Sequence, residues 1–161
     1  MYYLNVTLHV LAAMVWLGGM FFLAIVGAPV LREVEPPELR ARLFNRIGLA
    51  SRNAGWAAIA ILVLTGLANL QFRGLLRWDV LGKASFWGTH YGHTLAWKLS
   101  AVLVMIVISA VHSFILGPRA FAAAGTPAAA RWRRWSASLA RVNAVVGVVL
   151  VYFAVRLARG G

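Results

Sequence analysis

Four histidines and one lysine are the side chains whose type and placement can do chemistry in this sequence. Three of the histidines, His90, His93 and His112, fall in the stretch FWGTHYGHTLAWKLSAVLVMIVISAVHSFILGPRA, together with Lys98, the only lysine inside an apolar run. The fourth, His9, lies in a separate apolar run, LNVTLHVLAAMVWLGGMFFL. Polar groups at membrane depth are costly, and they usually face a bundle interior, a cofactor or a water path. Imidazole is a common ligand for haem iron, copper and zinc. Two imidazoles from facing helices at one depth can hold a haem iron or a transition metal. His9 and His93 are the candidate metal ligands, and His90, one turn earlier, is the alternative to His93. Lys98 or Arg77 would meet the propionates of a haem.

Small and aromatic residues surround these positions. Ala12 and Ala13 adjoin His9, Gly18 and Gly19 lie deeper, and Trp16 and Met20 continue the stripe from His9 at helical spacing. Gly66, and Gly147 with Asn143, are further small or polar positions among bulky neighbours. Each has a plainer reading beside the functional one. Small residues in membrane helices serve packing, Trp16 and Met20 serve as core, His90 is solvated in its loop, and Lys98 snorkels past Trp97. With no cysteine for a covalent link, the expected function is non-covalent binding of haem b near the outer face by His9 and His93, for electron transfer, gas-ligand binding or haem handling, with Trp16 at the cofactor. Copper bound through His9, His90 and His93 is the alternative cargo. The acids Glu33, Glu35, Glu38 and Asp79 all lie outside the apolar runs, so an Asp/Glu proton path is not supported.

These residues are positioned by membrane spans. The chain has 161 residues, of which 61% are hydrophobic, and the composition is that of a polytopic membrane protein. Four spans are predicted at residues 4–31, 55–72, 94–116 and 139–157, each near the length a bilayer core requires. The first is too long for a signal-peptide core and lacks a basic leader. The expected fold is an all-α integral membrane protein, with residues 1–161 forming a single domain built as a four-transmembrane-helix bundle. Pro29, Pro36 and Pro37 are expected to break the helix after the first span. Residues 37–52, with Leu39, Leu43, Phe44 and Ile47 on one face, are expected to form a short interfacial helix in the first connection. The third connection begins at Gly117-Pro118 and ends in RWRRW, an interfacial anchor.

The net charge of +12 would suggest nucleic acid in a soluble protein, but here the arginines flank spans and read as topology and lipid contact. The first and third connections are the more basic. They are therefore expected in the cytoplasm, with both termini outside, in a bacterial-type inner (plasma) membrane. His112 lies nineteen residues beyond His93, roughly 28 Å along a helix. It is not expected to share an iron with His9. The expected partners are the lipid bilayer and a redox partner or porphyrin substrate; the oligomeric state is open.

Two family resemblances follow from short motifs. Thr65-Gly66 in ILVLTGLANL, and Tyr91-Gly92 with Lys98-Leu99 in YGHTLAWKL, resemble the copper-resistance D family of membrane proteins. The opening run fits as well, through His9, Trp16 and Gly18-Gly19. The chain is also similar to the membrane protoporphyrinogen oxidases, four-helix proteins that bind haem b. Leu8-His9, Trp16 and Gly19 match their first helix, and Lys98-Leu99 with His112 match their third. The first resemblance implies copper resistance or transport. The second implies an oxidoreductase acting on tetrapyrroles.

Overall fold

A computed structural model describes residues 1–123 and 125–160. Six helices account for nearly all of the described chain, and no strand occurs among the described residues. Four are long and apolar enough to cross a membrane: α1 (Tyr2–Arg32), α2 (Pro37–Phe72), α5 (His90–Ala122) and α6 (Ala129–Ala158). The short α3 (Trp78–Leu81) and α4 (Ala84–Trp87) lie between α2 and α5. Lengths of 30 to 36 residues correspond to roughly 45–54 Å of helix, more than the ~30 Å hydrocarbon layer. The protein is thus an all-α, multi-pass membrane protein.

The helices form two compact units, Met1–Gly74 and Leu75–Gly161, each built on a helical hairpin. In the first, α1 packs along α2 and buries Ala12, Trp16, Ala58, Ile59 and Thr65. In the second, α5 packs along α6 and buries Leu95, Met105, Ser109 and Asn143. Large apolar side chains such as Ile25, Leu64 and Val145 stay more than half exposed on the helix surfaces. In water such surfaces would drive association; in a bilayer, acyl chains solvate them.

Three expectations about helix boundaries are corrected. Residues 37–52 are not a separate interfacial helix, because α2 runs unbroken from Pro37 to Phe72. No proline interrupts that stretch, and a continuous helix keeps its backbone groups paired where the chain enters lipid. The break after the first span falls at residues 33–36, as expected from Pro36 and Pro37, but Pro29 takes no part in it: α1 widens into a π-helical turn at Leu23–Gly27 and continues past Pro29 to Arg32. Likewise α5 passes through a π-helical turn at Val111–Leu116 and continues past Pro118 to Ala122. Proline lacks an N–H and its ring crowds the carbonyl four residues back. A wider turn just before it relieves both problems without stopping the helix.

The start of α5 depends on one glycine. The Thr89 hydroxyl accepts a hydrogen bond from the Gly92 N–H at 3.0 Å and donates to the Phe86 carbonyl at 2.7 Å. This is an N-cap that ties the preceding loop to the first turn. A Cβ on residue 92 would fall 2.1 Å from the Phe86 carbonyl oxygen, so only glycine permits the approach. The Tyr91-Gly92 motif therefore has a steric basis.

Candidate functional site

His9 is the most elaborately supported histidine in the molecule. It stands on α1 one turn after Asn5, and the two face Thr65 and Asn69, again one turn apart, on α2. The Asn5 amide donates to the Thr65 carbonyl and to Asn69 Oδ1, both at 2.9 Å. His9 Nδ1 lies 2.7 Å from Thr65 Oγ1. Thr65 is buried, and its hydroxyl sits 2.6 Å from the Ile61 carbonyl one turn back. A carbonyl only accepts, so the single hydroxyl proton of Thr65 goes to Ile61. The threonine oxygen must then accept from His9 Nδ1–H. Nδ1 therefore carries a proton, and in the neutral ring the lone pair is on Nε2, the electron pair an imidazole uses to accept a hydrogen bond or to bind a metal. Metal-binding histidines are commonly held this way, the second ring nitrogen donating to a fixed oxygen.

Gly66 lies against the same imidazole. A Cβ at that position would meet His9 Cε1 at 3.6 Å, an ordinary contact. Trp16, two turns beyond His9, is buried in the seam. Small residues and one oriented imidazole thus share one end of the first hairpin.

The remaining predicted site residues lie in the second unit. His93 is exposed in the first turn of α5. His90 is exposed, and its Nε2 meets a guanidinium nitrogen of Arg156 on α6. Arginine only donates, so His90 Nε2 is the acceptor and its lone pair is committed to that contact. Lys98 is half-buried on α5. Arg77, considered for a propionate, forms a two-bond ion pair with Asp79 at 2.9 and 3.0 Å. His112 lies in the π-helical turn of α5, where Nε2 is 3.0 Å from Ser136 Oγ on α6, a packed and hydrogen-bonded role. Asn143, also on α6, donates to Ser109 Oγ at 3.0 Å. Among the described residues, no three His, Cys, Asp or Glu side chains come together as a metal cage.

Sequence reasoning missed Asn5, Thr65 and Asn69 as partners of the first-helix histidine. The signal was present as two polar pairs at four-residue spacing, Asn5/His9 and Thr65/Asn69, each on one helix face. Arg156 as the partner of His90 had no such signal.

Comparison with known proteins places this geometry in context. A family model described as copper resistance protein D matches residues 41–157. An uncharacterized protein of Aquifex aeolicus (strain VF5) is 30% identical over 155 residues, covering 95% of this chain and 92% of the relative. No solved structure matches.

Proposed function

The chain belongs to the copper resistance protein D family, and we propose that it handles copper within the membrane, with His9 as a ligand of the ion. Copper is then cargo and not a resident cofactor. The observation that carries the reading is the His9–Thr65 contact, which turns the imidazole into the Nδ1–H tautomer with Nε2 as the donor atom. Imidazole suits copper. Thr65 holds the tautomer, and Asn5 with Asn69 holds the two helices in the register that joins them. His93, an exposed imidazole at the start of α5, is proposed as a copper-binding side chain of the second unit in its own right. His90 would have to release Arg156 before it could bind a metal.

Haem b is the finer alternative. His9, with Trp16 on the same helix, would then hold the haem from the first unit. Membership of a copper-resistance family supports copper over haem, and over porphyrinogen oxidation.

The test is metal analysis with an absorption spectrum on the full chain purified in detergent after growth with copper. Copper that co-purifies and is lost in His9→Ala, without a Soret band, is the expected result. A Soret band with acid-extractable haem b would replace copper with haem as the ligand of His9. Copper retained unchanged by His9→Ala would remove His9 from the site.

A further inference from the structure

The α5–α6 hairpin carries positive charge that its own sequence does not balance. Residues 80–161 contain no aspartate or glutamate, yet α6 alone carries Arg131, Arg133, Arg134 and Arg141 near its start. No aspartate or glutamate of this hairpin neutralises them. The face of α6 turned to α5 is marked by Ser136 and Asn143, which bond across to His112 and Ser109. At about 100° per residue, Arg134, Ser138 and Arg141 fall on the opposite face, and all three are exposed. Arg134, Trp135 and Ser138 line a shallow depression of about 220 Å³. Arg141 Nε donates to the Ala137 carbonyl at 3.2 Å, so its side chain folds back along the helix toward the turn that carries Ser138. Arg131 and Arg119 lie over the Trp132 ring instead, at 5.7 and 5.4 Å.

Directly along the helix, the same face turns apolar. Val142, Val145 and Val149 are 47%, 64% and 39% exposed and form a track of about two turns beside the cationic group. A pair of guanidinium groups, a hydroxyl and an indole at the head of an apolar track match the shape of one lipid molecule. We propose that this face binds an anionic glycerophospholipid. Arg134, Arg141 and Ser138 hold its phosphate, Trp135 lies at the glycerol level, and an acyl chain follows the valine track. A zwitterionic lipid is disfavoured, because the hairpin offers no carboxylate to its ammonium group.

The experiment uses the full chain in nanodiscs of equimolar phosphatidylcholine and phosphatidylglycerol, with retained lipids counted by native mass spectrometry. The wild type should retain phosphatidylglycerol in excess. Arg134→Gln and Arg141→Gln should each reduce that excess roughly fivefold, while Arg133→Gln, on another face, should leave it unchanged. Circular dichroism checks the fold of each variant, and Arg134→Gln alone decides the matter should Arg141→Gln lose helix. Added inorganic phosphate should not displace the lipid, because the valine track contributes to its retention. Equal retention of the two lipids by the wild type would overturn the proposal. So would an Arg133→Gln effect as large as that of Arg134→Gln, or full displacement by phosphate alone. None of these readouts depends on copper or haem.

Discussion

The two hairpins are assembled from similar parts but distribute their polar groups differently. In each, the first helix passes through a π-helical turn just before a proline, at Pro29 and at Pro118. The first hairpin then gathers its interhelical polar contacts into two turns at one end, where Asn5, His9, Thr65 and Asn69 meet. The second spreads them along its length, as His90–Arg156, Ser109–Asn143 and His112–Ser136. A spread ladder fixes the register of two helices and can give up one rung. A clustered group brings several polar groups to bear on one imidazole. In the second hairpin, His90 and His112 are each engaged across the seam.

Substitutions can break or sharpen this contrast, and the largest effect is expected in the second unit. Gly92→Ala places a methyl group 2.1 Å from the Phe86 carbonyl. Relief requires the loop or the first turn of α5 to move, at about 3 kcal/mol. Thermal unfolding in detergent should show a clear drop in midpoint; an unchanged midpoint would mean that the chain reversal before α5 is looser than described.

Thr65→Val comes next and acts on the cluster. It keeps the volume but removes the acceptor of His9 Nδ1–H, so the tautomer is no longer fixed. Copper affinity should fall about 10- to 100-fold, measured by competition with a chromogenic chelator, while Thr65→Ser should restore most of it. Equal affinity in all three proteins would sever the link between the threonine and the metal.

Ser136→Ala removes one rung of the spread ladder. Interhelical hydrogen bonds in membranes are worth about 0.6 kcal/mol on average, so denaturant titration should register a small loss and copper binding should not change. A large loss of copper would move the site toward His112. The smallest effect is expected from Gly66→Ala. Its methyl would meet His9 Cε1 at 3.6 Å, an ordinary contact. Stability should stay within about 0.5 kcal/mol of wild type, with any change appearing in copper affinity alone.

The four spans were legible in the sequence because hydropathy and length report directly on what a bilayer can accept. The Thr-Gly and Tyr-Gly motifs were visible too, but as patterns without a cause. The structure supplied causes for two of these residues: a hydrogen bond for Thr65 and a close backbone approach for Gly92. The continuity of α2 through residues 37–52 was misjudged because an amphipathic pattern looks alike on a separate surface helix and on the first turns of a longer one.

What the sequence by itself determined is the membrane class, the number of crossings, and the short list of imidazoles. Those depend on composition summed over many residues, which tolerates errors of register. Only the tertiary structure decided that His9 carries its proton on Nδ1, that His90 is engaged by Arg156, and that His112 is tied to Ser136. Each of these pairings joins residues between 24 and 66 positions apart across two helices. They depend on how one helix is rotated and shifted against another, and a change of one residue in that register would present a different side chain.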